Sequence, residues 1–174
     1  MKFFTQDRNG ICNIIALQHV LSFLDMYPTF EEIERDLTIN GACGCWIPEL
    51  GVYLENKGIK TKLISNGNNK PIDNSFQEEI NKYKKNFIFE EKIPNEEDIE
   101  GKVVLINVDW YKIRNIDGGP GAHYVVLIPK EEGGHYLYDG SNYDKKVDVT
   151  FNHMYKASLE ISGDGEDGMW LVLE

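Results

Sequence analysis

The residues best suited to covalent chemistry are a cysteine at position 12, a glutamine six places before it, a histidine at 123 and an aspartate sixteen places beyond that histidine. Thiol, imidazole, carboxylate and carboxamide are the groups from which an acyl-transfer site is assembled: nucleophile, base, orienter of the base, and donor to the developing oxyanion. Cys12 sits where the polar loop Gln6-Asp7-Arg8-Asn9-Gly10 gives way to the apolar segment Asn13 to Leu24. Ile14, Leu17, Leu21 and Leu24 recur at three- and four-residue steps, the period of a helix. Ile11, Ile15, Ala16, Val20 and Phe23 widen the apolar surface until little polar face is left, as in a helix buried at the centre of a domain. The spacing puts Cys12 in the first turn of that helix, where unpaired backbone N–H groups and the positive end of the helix dipole favour a thiolate over a thiol. Gln6, in a folded-back loop, is close enough to set its amide beside the sulfur. The competing reading of Cys12 is a small core hydrophobe.

A thiolate needs a basic partner, and four histidines are available. His19 follows Cys12 on the same helix, about 10 Å away along the axis at a rise of about 1.5 Å per residue, too far to pair. His135 and His153 stand in polar surroundings and read as surface residues. His123 differs. It lies where the glycine-rich run Gly118-Gly119-Pro120-Gly121 enters the apolar strand Ala122 to Ile128, with small neighbours that leave the ring room. If Glu131-Glu132-Gly133 is a three-residue hairpin loop with glycine at its left-handed position, Lys130 pairs with Gly134 and position 141 falls opposite 123. Asp139 then lies on the same face as His123, on the diagonal, within reach of a His–Asp hydrogen bond. A one-residue slip would turn Asp139 to the other face. The competing readings are a core histidine and a turn-opening aspartate.

The elements that must hold these groups follow from local signals. Thr29 and Glu32 form a capping box for a helix that turns Phe30, Ile33 and Leu37 inward. Trp46 to Leu54 is a third helix with Pro48 near its start and Gly58 at its end. Ile59 to Ile64 reads as a short strand, Ser75 to Tyr83 as a capped helix, and Phe87 to Glu100 as a short strand and one helical turn. Lys102 to Asp109 is a buried strand, Trp110 to Gly121 a long loop, His135 to Asp139 a strand, Thr150 to Lys156 a helix and Met169 to Leu173 a terminal strand. Helices dominate the first half and strands the second. The expected class is α+β, with an antiparallel sheet packed against the first helix, as one domain over residues 1–174.

The whole-chain properties narrow the partners. A net charge of −11 argues against nucleic acid or an anionic membrane surface. No apolar run is long enough for a membrane span, and Met1-Lys2-Phe3-Phe4 leads straight into polar residues without a secretory h-region. Three cysteines is an odd count, and Cys43 and Cys45 are too close for an ordinary bridge; the thiols read as reduced, so a cytoplasmic setting is expected.

Taken together, the Gln6-to-Cys12 spacing, Cys12 opening an Ile/Leu-rich helix, Gly121-Ala122-His123-Tyr124-Val125-Val126-Leu127 and Tyr136-Leu137-Tyr138-Asp139 resemble the papain-like cysteine peptidases. The likeness is closest to the branch that cleaves double-glycine leaders from bacteriocin precursors. It implies a papain-like fold with Cys12 as nucleophile, His123 as its proton partner, Asp139 as orienter, and Gln6 with the Cys12 backbone N–H holding the oxyanion. It also implies a peptide or protein substrate and no metal or organic cofactor. The leader peptidases usually carry Asp before the nucleophile and Gly after it; here those places are Ile11 and Asn13. An amidase or transpeptidase, or an inactive binding module on the same fold, remain alternatives. Gly41-Ala42-Cys43-Gly44-Cys45-Trp46 looks like the nucleophile segment of the plant and lysosomal papain enzymes, but it is one residue short and Ile39 stands where glutamine would be needed. Cys43 and Cys45 lack the second ligand pair of a structural zinc site, and Asp164-Gly165-Glu166-Asp167-Gly168 lacks the ligand spacing of a calcium loop.

Overall fold

In the computed structural model, which describes residues 4–5, 11–37, 46–67, 74–118, 121–141, 147–159, 161 and 168–174, the chain alternates helices with the strands of a single seven-stranded sheet. The elements in order are α1 (Cys12–Phe23), α2 (Phe30–Asp36), α3 (Ile47–Asn56), β1 (Thr61–Ser65), α4 (Asn74–Asn86), β2 (Ile88–Glu91), α5 (Glu96–Ile99), β3 (Val104–Asp109), α6 (Trp110–Ile113), β4 (Ala122–Pro129), β5 (His135–Tyr138), β6 (Val147–Val149), α7 (Phe151–Ser158) and β7 (Met169–Leu173). The strand order across the sheet is β2-β1-β7-β3-β4-β5-β6.

The class is mixed α and β, compatible with the expected α+β. The sheet departs from the purely antiparallel one expected from the second half of the chain. Its neighbours are antiparallel from β1 through β6, but the edge strand β2 runs parallel to β1, and both come from the helical first half. A parallel pair needs a crossover, and α4 supplies it.

Helices cover both faces. On one, Leu17 and Leu21 of α1, Leu50 and Leu54 of α3 and Tyr83 of α4 pack against Val126 and Leu171. On the other, Ile99, Ile113, Met154 and Ala157 of α5, α6 and α7 pack against Val125, Leu127, Trp170 and Val172. Alternate residues of β4 therefore serve two cores, which explains why the strand reads as a continuous apolar run.

α1 lies beneath β4 and β3 and is buried from Asn13 to Ser22 all the way round. Two of its interior polar groups bond locally: Gln18 Nε2 donates to the Pro28 carbonyl at 3.3 Å and Ser22 Oγ to the His19 carbonyl at 3.2 Å, whereas the buried Asn13 carboxamide has no hydrogen-bond partner among the described residues. The Thr29–Glu32 capping box forms as the sequence indicates, and Pro48 occupies the first turn of α3. Two elements lie where none was expected. The stretch 110–121 opens with the one-turn helix α6, and β6 adds an edge strand beyond β5.

Candidate functional site

The site is built where the start of α1 meets the β4–β5 hairpin. The hairpin has the register that the glycine signal indicates. Val126 pairs with Tyr138 and Pro129 with His135. The Lys130 N–H donates to the Gly134 carbonyl at 3.0 Å, and Gly133 takes a φ of 93°, a value that favours glycine. Continued beyond β5, that register sets Ser141 opposite His123 and Asp139 on the diagonal. Asp139 and His123 meet there: His123 Nε2 lies 2.7 Å from Asp139 Oδ1, and both side chains are buried.

With Nε2 held by the carboxylate, the other ring nitrogen is left for Cys12, which is hydrogen-bonded to His123. Cys12 is half-buried and opens α1 behind Ile11, whose side chain supplies no cap. The Asn13 and Tyr124 backbones both bond to the sulfur, at the end of the helix where the dipole is positive.

These contacts set the charges. Burial pushes the Cys12 thiol up, but the bond to His123, its charge and the two backbone bonds outweigh that and leave it below its ordinary value. Burial pulls His123 down, while Asp139 and Cys12 raise it to about 9. Burial raises Asp139, but His123, Arg114 and Ser141 hold it well below the usual carboxylate range. The arrangement favours a thiolate beside an imidazolium, stabilised by a buried carboxylate, over a neutral pair.

Asp139 has further partners that sequence reasoning missed. Arg114 donates to its Oδ2 at 2.5 Å. The Ser141 backbone N–H and Oγ both donate to Oδ1, at 2.8 and 2.7 Å. Trp110 Nε1 in turn donates to Ser141 Oγ at 3.0 Å, and the indole lies 4.6 Å from the Arg114 guanidinium. The Asp-Gly-Ser turn after a strand was a possible signal for Ser141. Nothing near Arg114 in the sequence pointed to the carboxylate, because a one-turn helix brings it there. Gly140 is required by packing: a Cβ on it would stand 2.2 Å from Ile15 Cγ2 of α1.

The remaining histidines are structural. His19 is fully buried, with Nε2 at 3.0 and 3.1 Å from the Phe4 backbone N and O. Burial holds it down to about 4, against the opposing effects of Phe4 and Asp139, so it is neutral near pH 7. Both remaining rings bind backbone carbonyls; His135, expected at the surface, is buried, while His153 is half-exposed. His135 is buried with Nε2 3.0 Å from the Lys102 carbonyl, and His153 Nε2 lies 3.1 Å from the Lys112 carbonyl. The expectation for His135 rested on polar sequence neighbours, which do not report what packs from other elements.

Gln6, Cys43 and Cys45 lie outside the described residues, as does most of the acidic loop 164–168. Among the described residues no group of three or more His, Cys, Asp and Glu side chains is placed to hold a metal ion, and no helix is long and apolar enough to cross a membrane. Neither the family models nor the curated proteins compared with this chain give a match.

Proposed function

We propose that this chain is a cysteine peptidase-like hydrolase on a papain-like fold, cleaving a peptide or amide bond through an acyl-enzyme. The observation that carries the reading is the chain of contacts from the Cys12 sulfur to His123 and from His123 Nε2 to the buried Asp139 at 2.7 Å. A cysteine placed only to fill core space has no use for an imidazole held in this way.

The Cys12 thiolate attacks the substrate carbonyl carbon, forming a C–S bond as the carbonyl π pair moves onto oxygen. Asp139 keeps the His123 ring oriented and stabilises its positive charge. As the tetrahedral species collapses, the His123 imidazolium gives its proton to the leaving nitrogen and the C–N bond breaks. Water then attacks the thioester while His123 takes its proton, and the acid product leaves as the Cys12 thiolate is restored. An amine in place of water gives transfer instead of hydrolysis. Gln6 and a first-turn N–H are the oxyanion donors in this scheme. Phe4, two residues before Gln6, supports that assignment. It is bound to His19, and its carbonyl would lie 3.5 Å from a Cβ on Gly140, the residue after Asp139.

An activated aryl ester tests acyl-enzyme formation without knowledge of the natural substrate. With p-nitrophenyl acetate, the expected course is a burst of one phenolate per chain followed by slower turnover, with the burst absent in Cys12→Ala. A burst that survives Cys12→Ala, or no burst in the folded wild type, would overturn the proposal.

A further inference from the structure

We infer that Arg114 is a positioning residue that sets the proton affinity of His123 by dividing the charge of Asp139. Its catalytic meaning rests on the acyl-transfer reading above; the physical claim does not. The two carboxylate oxygens have separate duties. Oδ1 receives His123 and both donors of Ser141, while Oδ2 receives Arg114. Arg114 is also fixed from several sides. Asp109 Oδ1 accepts from the Tyr111 and Lys112 N–H groups and starts α6. The Trp110 N–H donates to the Gly121 carbonyl at 2.8 Å, tying α6 to the lead-in of β4. His153 of α7 holds the Lys112 carbonyl, and Asn115, at a φ of 53°, ends the turn. The guanidinium then rests on Trp110, whose Nε1 returns to Asp139 through Ser141, closing a ring of four residues.

Such a ring does more than orient. A buried carboxylate with no counter-charge would bind a proton on His123 ever more tightly. The ring must be basic enough to keep the Cys12 thiolate yet acidic enough to protonate a leaving amine. A guanidinium on the far oxygen draws part of the carboxylate charge away and holds the imidazolium acidity between those limits. Among the described residues, the charged and titratable groups facing this cluster are Cys12 and His19 from α1, Arg114 from α6, Asp109 from the end of β3, and Asp148 and His153. Asp148 and His153 line, with Arg114 and Asp139, a cavity of about 430 Å³. His19 is neutral near pH 7 and Asp109 is engaged in capping α6. Among the described residues Arg114 is therefore the cation bonded directly to Asp139 besides the ring itself.

The test is the NMR titration of the His123 ring in the full chain with Cys12 blocked as its methyl disulfide, which needs no turnover. Relative to wild type, Arg114→Gln is expected to raise the His123 midpoint by about one pH unit. Arg114→Lys, which keeps the charge, is expected to hold it within about a third of a unit. An unchanged or lowered midpoint in Arg114→Gln overturns the inference. If that variant does not fold, an Arg114→Lys midpoint displaced by a full unit overturns it and one in place supports it. Loss of the aryl-ester burst in wild type would count against the acyl-transfer reading alone, since the titration is read without it.

Discussion

Replacing Asp139 by asparagine removes a charge while keeping the shape of the side chain. His123 stands at about 9 against an ordinary value of about 6.5. That rise of about two and a half pH units is about 3 kcal/mol of preference for the imidazolium, at about 1.4 kcal/mol per unit. Burial alone would move the ring the other way, so the whole preference comes from its partners, with Asp139 foremost. Asp139→Asn leaves a neutral acceptor, and the expected fall in His123 is about one to two pH units. The thiolate loses its counter-ion in step, so the pH midpoint for Cys12 alkylation moves up toward that of a free thiol, about 8.5. Arg114 also loses its counter-charge, and because its side chain is about one-fifth exposed the expected loss of stability is about 2 kcal/mol. The assay is the rate of iodoacetamide labelling of Cys12 against pH, by mass spectrometry, beside urea unfolding of the same preparations. At pH 6 the labelling rate is expected to fall about tenfold or more. A folded Asp139→Asn chain whose labelling profile overlays the wild type would refute the reasoning, because the carboxylate would then have no part in holding the pair.

The other expectations follow from single features of the site. Gln6→Ala should slow the aryl-ester burst by about 10²–10³-fold while leaving the alkylation profile in place, since the amide does not ionise; a shifted profile would show that Gln6 acts otherwise. Gly140→Ala drives a methyl to 2.2 Å from Ile15 Cγ2 and should cost about 1–3 kcal/mol in urea unfolding; an unchanged midpoint would mean the turn does not abut α1. His19 has a folded value of about 4 against about 6.5 unfolded, so the unfolded chain takes up the proton first as pH falls. Stability from this residue is present above about pH 6.5 and is lost on the way down to about 4, by about 3 kcal/mol in all. His19→Gln should flatten that acid limb, and an unaltered limb would contradict the assignment.

The parts of the fold legible in the sequence are those set by strong local signals. α1 announces itself by apolar residues on every side, and the structure buries it from Asn13 to Ser22. The β4–β5 register follows from Gly133, because only a few loop lengths suit a glycine at positive φ, and the register brings Asp139 to His123. What was not legible depends on distant neighbours. α6 is four residues long, too short for any periodicity, and its start signal, Asp109, also ends a strand. Arg114 could not be assigned without it. β6 is a three-residue edge strand that exists by pairing with β5. The parallel β1–β2 pair depends on how α4 returns the chain, which local sequence does not state. The burial of His135 was not legible for the same reason: the carbonyl it binds belongs to Lys102, more than thirty residues away.

The most direct test of the central claim is the pH dependence of alkylation at each of the three cysteines in the folded wild-type chain, resolved by peptide mass spectrometry. A reactive Cys12–His123 pair predicts that Cys12 labels well below the pH at which an ordinary thiol ionises, with a low midpoint that His123→Ala abolishes. A Cys12 midpoint near about 8.5, unmoved by His123→Ala, would contradict it.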